Sequence, residues 1–226
     1  MLPLKDLNRS STTPHVNRLL LVTNIIIFAV YFLSSQNILL SDRFAAEILD
    51  KFVEVPSDIL QGQRLFTLFT SMFMHETWFH LIGNMLFLYV FGDNVEDAFG
   101  HLSYLLFYLV CGLAASFVQI LSSMLLAEDL TVGVIGASGA ISGVLGAYLV
   151  LYPRARIVTL LFYFVLPVSA LVFLGGWFAL QWLYGVFDYS GNIAYWAHIG
   201  GFIAGMILAL TAGKRRKKAR DARMRL

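Results

Sequence analysis

The stretch GVIGASGAISG (Gly133–Gly143) places one central serine, Ser138, among four glycines in a strongly apolar part of the chain. Glycines at this density are typical of two different situations. They let two membrane helices come into close contact, and they leave room around a nucleophile. Ser138 is compatible with both, so the choice between packing and chemistry depends on the residues outside this stretch.

The composition indicates an integral membrane protein. Of 226 residues, 58% are hydrophobic and only 13% are charged, with a mean hydropathy of +0.74. No lysine or arginine occurs between Arg64 and Arg154, a gap that hydrocarbon-embedded segments explain and a soluble surface does not. The one cysteine, Cys111, excludes an internal disulfide and a multi-cysteine metal site.

Apolar runs predict the fold class, an all-α integral membrane protein with a bundle of six transmembrane helices. The predicted spans are Leu19–Leu33, Trp78–Phe91, Leu102–Leu126, Ile135–Leu151, about Pro167–Phe187, and Ile193–Thr211. The segment Ile157–Leu166 is rich in β-branched and aromatic residues and precedes Pro167. We therefore interpret it as an interfacial or extended connection rather than a helix.

The distribution of basic residues predicts the topology. They precede the first span, follow the fourth and follow the sixth: Lys5, Arg9 and Arg18, then Arg154 and Arg156, then the tail KRRKKARDARMRL. With an even number of spans these groups share one side, which the positive-inside rule makes cytoplasmic. Residues 1–18 are thus a cytoplasmic segment, 19–213 the membrane domain with an external loop at about 35–76, and 214–226 a cytoplasmic tail.

The two ends of the chain also indicate its partners and location. The polar N-terminus lacks a small-residue cleavage pattern, so the first span is expected to stay in the membrane. A basic run directly after an apolar helix is typical of an anchor that faces anionic lipid, so membrane lipids rather than nucleic acid are the expected contact. A bacterial inner membrane fits these features.

Of the polar residues inside the predicted spans, where polar groups are costly and usually functional, four stand out. They are His80 and Asn84 in the second span, Ser138 in the fourth and His198 in the sixth. By the predicted topology, each lies near the external end of its helix. His80 and Asn84 are four residues apart and share a helix face, so together they could stabilise an oxyanion.

A zinc site at HETWFH (His75–His80) is not expected. A metalloprotease helix needs two histidines at i and i+4, whereas these two are five apart and diverge around a helix. The sequence predicts neither a metal ion nor another cofactor.

Small residues form a stripe on each of the fourth and sixth spans: Gly136, Gly139, Gly143 and Gly146, and Gly201, Gly205 and Ala209. Such stripes let helix backbones approach closely in lipid. His198 lies one turn before the second stripe and faces the start of the first, where Ser138 lies. A serine hydroxyl needs a base within hydrogen-bond reach, and imidazole suits this role. The pattern predicts a Ser138–His198 dyad, with the Ser138 N–H as a further oxyanion donor.

Three motifs in this order resemble those of the rhomboid intramembrane serine proteases. They are HLIGN (His80–Asn84), GASG (Gly136–Gly139) and AHIGGFIAG (Ala197–Gly205). Each motif alone is weak, but the three together on the second, fourth and sixth spans are highly specific. The resemblance extends over roughly 64–213.

Two further segments are similar to the same family. NVEDAFG (Asn94–Gly100) resembles its Glu-x-x-x-Gly segment, which implies a structural role for Glu96, and WFALQ (Trp177–Gln181) looks family-like on the fifth span. Some relatives have an aromatic residue four positions after the serine that packs on the catalytic histidine. Here that position is Ser142, so another group is expected to orient His198.

The resemblance implies a rhomboid-like bundle in which Ser138 is the nucleophile and His198 the general base. His80 and Asn84 would be oxyanion donors, and the partners would be transmembrane segments of other proteins, cut near the external face. Entry would be lateral, past the fifth helix and a mobile loop at Asp188–Asn192.

Two other hypotheses stay open. A proteolytically inactive relative would bind transmembrane clients without cutting them, although this chain retains all four candidate site residues. A small transporter or channel would show paired intramembrane charges, broken helices and repeat symmetry, and none of these is clear.

Overall fold

A computed structural model describes residues 1–187 and 193–223 of the chain. Its elements in chain order are β1 (Leu2–Asp6), α1 (His15–Ser35), α2 (Asp42–Phe52), α3 (Pro56–Leu60), α4 (Thr67–Thr70), a 3-10 turn (Ser71–Phe73), α5 (Trp78–Phe99), α6 (His101–Leu125), α7 (Ser138–Leu151), β2 (Arg156–Leu161), β3 (Phe164–Ser169), α8 (Ala170–Phe187), α9 (Tyr195–Leu208), a π-helical turn (Ala209–Gly213) and α10 (Lys214–Arg223). The described chain is thus mostly helical. The predicted mobile loop Asp188–Asn192 lies outside the described residues.

Four helices in the described part of the chain are long and apolar enough to cross a membrane. They are α1, α6, α8 and the helical run Tyr195–Lys218 that begins with α9. Each of the six predicted spans coincides with a helix, but α5 is not among these four, and α7 has only 14 residues, or about 21 Å. Length and composition therefore do not confirm the count of six spans.

A three-stranded antiparallel sheet corrects the all-α prediction. Its strand order is β1-β2-β3, with Leu2 paired with Leu160 and Arg156 with Ser169. The extended character predicted for Ile157–Leu166 is confirmed, since β2 and β3 form a hairpin there. The strand β1 was not predicted, because a five-residue strand whose partner lies more than 150 residues away leaves no local sequence pattern.

The predicted external loop contains ordered structure, namely α2, α3, α4 and the 3-10 turn. Its Glu54 forms a two-way backbone bridge with Val134, with N–H···O distances of 3.2 and 2.7 Å. The buried carboxylate of Glu54 also accepts the hydroxyl of Ser116 at 2.7 Å. These bonds fix the loop segment that leads into α7 and Ser138.

Glu96 anchors the start of α1. Its fully buried carboxylate accepts the backbone N–H groups of Val16 and Asn17 at 3.0 and 2.7 Å. Such donors at a helix N-terminus lack partners within the helix and favour a negative charge. Gly100, four residues later, has φ +81° and separates α5 from α6. These contacts are structural, as the resemblance implies for Glu96.

The helices α7 and α9 are in backbone contact. A Cβ added to Gly201 would overlap the carbonyl oxygen of Gly139, and one added to Gly205 would overlap that of Gly143. Gly146 meets the carbonyl of Phe202 in the same way. The predicted contact between the two small-residue stripes is therefore confirmed, and it is what small residues permit between helices in lipid.

Gly136 is the exception to the predicted stripe. The helix α7 begins at Ser138 and not at Ile135, so Gly136 lies in the preceding turn, with φ +119°. This conformation is rarely open to residues with a side chain. A Cβ on Gly136 would also lie only 2.5 Å from Nε2 of His80, so this glycine serves the turn and the site.

Asp6 of β1 forms hydrogen bonds with residues near the C-terminal ends of α5 and α7. The Tyr148 hydroxyl donates to its carboxylate at 2.5 Å and the Asn94 amide at 2.8 Å. Burial raises the pKa of Asp6 from 3.8 to about 6. The Asp6 carboxyl therefore binds its proton more tightly in the folded state than in the unfolded state. The stability that this protonation contributes declines as the pH rises from 3.8 to about 6.

The pH dependence of unfolding tests this assignment. We expect the Tm of the detergent-solubilised protein to rise on acidification from about pH 7 to about pH 5 more in the wild type than in Asp6→Ala, because only the wild type has the group with the raised pKa. A thermal melt followed by circular dichroism at each pH measures the difference. Equal pH dependence in the two proteins would show that Asp6 does not titrate in this range.

Candidate functional site

Ser138 is the first residue of α7. Its backbone N–H, like the next two, has no acceptor within the helix, and the helix dipole places partial positive charge at this end. The first backbone bond of the helix runs from the Ile141 N–H to the Ala137 carbonyl at 2.9 Å. The serine therefore lies where free backbone donors can stabilise a developing negative charge.

The structure brings Ser138 and His198 together across the α7–α9 contact. The Ser138 Oγ lies 2.8 Å from Nε2 of His198, a distance suited to proton transfer. His198 is in the first turn of α9, and the two residues are 60 positions apart in the chain. Their proximity follows from the glycine contact between the two helices.

A third side chain contacts the pair from α8. Oε1 of Gln181 lies 2.7 Å from Nδ1 of His198. The ring of Trp177, one turn earlier on α8, lies 6.0 Å from the imidazole centroid. Ser142 instead donates its hydroxyl to the Ser138 carbonyl at 2.6 Å. Two contacts of His198 thus come from α8, the fifth predicted span, whereas Ser142 bonds within its own helix.

His80 and Asn84 lie beside the turn that precedes Ser138. A Cβ built on Gly136 would be 2.5 Å from His80 Nε2 and 3.8 Å from Asn84 Nδ2. His80 is half-buried and Asn84 is buried. The structure therefore brings the four predicted site residues to one place, while their roles in a reaction stay predictions.

His75 is a contact that the sequence reasoning missed. Its Nε2 lies 2.9 Å from Nδ2 of Asn84, and its ring meets that of His80 edge to face at 4.9 Å. An amide nitrogen can only donate, so Nε2 of His75 accepts. The buried His75 thus orients the Asn84 amide. Its position in the HETWFH motif, next to His80, could have indicated this contact, but that motif was considered only as a zinc site.

Gln119 on α6 is a second missed residue. Its Oε1 accepts the backbone N–H of Ala197 at 3.1 Å, and its Nε2 donates to Ser123 at 3.2 Å. Ala197 is in the first turn of α9 and directly precedes His198. Gln119 therefore caps the helix end that carries the histidine.

The site residues face a cavity of about 1100 Å³. Its lining includes all four predicted site residues: His80, Asn84, Ser138 and His198. Exposed residues of the loop before α7, among them Glu128 and Asp129, also line it, so the cavity reaches the protein surface. A serine, a base and hydrogen-bond donors around one water-accessible space are the groups that acyl transfer requires.

The fold and the site define a multi-pass membrane protein in which a serine and a histidine from two helices meet at a cavity. Residues 62–215 match the family model of the Rhomboid domain. The chain belongs to the rhomboid family.

Curated relatives agree with this assignment. Rhomboid protein 1, mitochondrial, of Saccharomyces cerevisiae is 32% identical over 183 residues, which are 78% of this chain and 49% of the relative. RHOMBOID-like protein 6, mitochondrial, and RHOMBOID-like protein 2 of Arabidopsis thaliana are 30% and 36% identical, over 66% of this chain and 44% and 41% of their own lengths. The chain thus spans less than half the length of these relatives.

Proposed function

We propose that this chain is an intramembrane serine endopeptidase that hydrolyses peptide bonds in or near the transmembrane segments of other membrane proteins. The observation that carries the proposal is the 2.8 Å contact between Ser138 Oγ and His198 Nε2 at the wall of a large cavity. A half-buried serine–histidine contact can also be a hydrogen bond that only joins two helices. Family membership and the donors around Ser138 favour catalysis.

In the proposed reaction, His198 Nε2 takes the hydroxyl proton of Ser138 as Oγ attacks the scissile carbonyl. The carbonyl oxygen becomes an oxyanion, which the Ser138 N–H, the Asn84 amide and His80 would stabilise. His198 then gives its proton to the leaving amine, which departs and leaves an acyl-enzyme. A water molecule from the cavity hydrolyses the acyl-enzyme, with His198 again as the base. No metal or other cofactor takes part.

The proposal includes the membrane arrangement. Six helices, α1 and α5 to α9, would form the rhomboid-like bundle, with both termini on the cytoplasmic side of a bacterial plasma membrane. The basic residues that flank these helices support this orientation. Short spans such as α7 are compatible with it where the bilayer thins. The site would then lie near the external face, and the basic tail would contact anionic lipid.

Reconstitution tests the function directly. The purified protein in liposomes is mixed with a single-span substrate, and cleavage is followed by gel and mass spectrometry. In parallel, a fluorophosphonate probe reports the reactive serine. We expect cleavage and labelling on Ser138. A protein that binds the substrate but neither cleaves it nor reacts with the probe would instead be a rhomboid-like client binder.

We expect Asn84→Ala to lower kcat by about 100- to 1000-fold, because it removes one oxyanion donor. KM should change little, since the donor acts mainly in the transition state. Steady-state cleavage in detergent measures both constants. Asn24→Ala is the matched control, since Asn24 is also buried in a helix but bonds to Leu20 of its own helix. Similar kinetics for both variants would remove Asn84 from the proposed oxyanion site.

A further inference from the structure

We propose that Gln181 is a positioning residue for the base, a role that rests on the proposed function of the Ser138–His198 pair. Oε1 of Gln181 lies 2.7 Å from Nδ1 of His198, on the side of the ring opposite Ser138. The sequence predicted a dyad and left the orientation of its histidine to an unnamed group. The structure assigns that task to an amide on α8.

The hydrogen-bonding rules fix the tautomer. An amide oxygen can only accept, so Nδ1 of His198 must carry the proton in this contact. In a neutral imidazole the other nitrogen is then bare, and Nε2 is free to accept the hydroxyl proton of Ser138. The opposite tautomer would place a proton on Nε2, where it could not act as the base. Gln181 therefore selects the reactive form of His198 and fixes the plane of its ring.

Gln181 is only half-buried, so its amide does not need His198 merely to avoid being buried without a hydrogen-bond partner, and the surrounding packing favours a role in orienting the imidazole. Trp177 and Gln181 are one turn apart on α8 and contact His198 with a ring and an acceptor, respectively. The Trp177 ring also lies 5.9 Å from that of Phe202, one turn after His198 on α9. Two side chains of α8 thus hold the imidazole from one helix face.

The location on α8 has a mechanical consequence. Of the four helices long and apolar enough to cross a membrane, α8 has the smallest buried share, with 17% of its residues buried. Its contacts with the rest of the described protein are therefore sparse. A movement of α8 away from α9 would take the Gln181 oxygen away from Nδ1 of His198 and leave the imidazole without a fixed orientation. The reactivity of Ser138 would therefore depend on the position of α8.

The test compares two substitutions of similar size. Gln181→Met keeps the length of the side chain but lacks an acceptor, whereas Gln181→Glu keeps an acceptor at the same reach. We expect Gln181→Met to lower the rate constant of fluorophosphonate labelling by about 10- to 100-fold, the range expected for loss of a hydrogen bond to a group that becomes charged. Gln181→Glu should keep most of the wild-type labelling rate constant. In substrate cleavage the loss in Gln181→Met should fall on kcat, with KM nearly unchanged.

A merely structural role predicts another outcome. If Gln181 only stabilises the bundle, Gln181→Met would lower the Tm and leave the labelling rate of the folded protein unchanged, which would overturn the proposal. Equal labelling of both variants and the wild type would overturn it as well. Absence of labelling in the wild type itself would count against the protease function instead.

A measurement that needs no activity decides the positioning role in that case. Nuclear magnetic resonance of protein containing ¹⁵N-histidine distinguishes protonated from bare ring nitrogens. We expect His198 in the wild type to carry its proton on Nδ1, and Gln181→Met to shift the population towards the Nε2–H tautomer. The same tautomer distribution in both proteins would exclude the positioning role, whatever the enzyme assays show.

Discussion

Ser138→Ala is expected to abolish both fluorophosphonate labelling and substrate cleavage. Removal of the nucleophile leaves no group that can form an acyl-enzyme, and such a loss in a serine hydrolase amounts to about a millionfold in kcat. Residual cleavage would therefore lie below detection. The fold should persist, because Ser138 is the first residue of α7 and its hydroxyl contact is to His198.

The matched control for this variant is Ser142→Ala. Both serines are on α7, four residues apart, but Ser142 is buried and bonds to the carbonyl of Ser138. We expect Ser142→Ala to be labelled and to cleave the substrate. His198→Ala should fail in both assays like Ser138→Ala, since the hydroxyl then has no base. Equal cleavage by Ser138→Ala and the wild type would refute the mechanism.

Mass spectrometry of the labelled wild type makes the test specific. The probe adduct should be found on the peptide that contains Ser138 and should vanish when the protein is denatured before labelling, because the reactivity depends on the folded contact with His198. An adduct on any other serine would contradict the assignment even if the protein cleaved its substrate.

The sequence was sufficient to predict the site residues and helix contacts that follow from the periodic pattern of the helices. Polar residues stand out in apolar spans because hydrocarbon tolerates few of them. His80, Asn84, Ser138 and His198 could be chosen from the sequence because they also share a predicted depth near the external face. The glycine stripes then predicted which helices touch. The structure agrees on the contact of α7 with α9 and on the proximity of Ser138 to His198.

The parts that could not be predicted depend on contacts between distant segments. The pairing of Leu2 with Leu160 forms a strand that no local periodicity indicates. The start of α7 at Ser138 depends on the positive φ of Gly136, which periodicity cannot distinguish from a helical glycine. The position of this helix start matters for the chemistry. As the first residue of α7, Ser138 has a backbone N–H with no acceptor in the helix, which it would not have in the middle of a helix.

The role of Gln181 illustrates a second limit. Its place in the WFALQ segment was visible in the sequence, but which residue of α8 meets His198 depends on the rotation of that helix about its axis. For a helix that is apolar on all sides, the hydrophobic pattern does not set this rotation. Only the coordinates show that the amide, and not a neighbouring side chain, reaches Nδ1.

The second large effect is expected from Gly205, which is not in the cavity. A Cβ at this position would overlap the backbone carbonyl of Gly143, and a backbone atom in a helix cannot turn away as a side chain can. We therefore expect Gly205→Val to push α9 away from α7 and to separate Ser138 from His198. A misplacement of about 1 Å lowers a rate by about 100-fold.

The experiment compares Gly205→Val with Gly175→Ala. Both glycines lie within apolar helices, but a Cβ on Gly175 would meet nothing within 4 Å, and alanine favours helix formation over glycine by about 1 kcal/mol. We expect Gly175→Ala to keep the wild-type labelling rate and to melt at the wild-type temperature or a few degrees above it. Gly205→Val should lose at least about 100-fold in labelling rate and melt at a lower temperature, because the close α7–α9 contact also stabilises the bundle.

The smaller substitution Gly205→Ala separates packing from chemistry. One methyl group still overlaps the Gly143 carbonyl, so labelling should fall, but less than in Gly205→Val. If the labelling rate decreases in the order Gly, Ala, Val while circular dichroism shows intact helices, the distance between the helices controls the reaction. Full activity in Gly205→Val would mean that the close approach of α7 and α9 is not what brings Ser138 and His198 together.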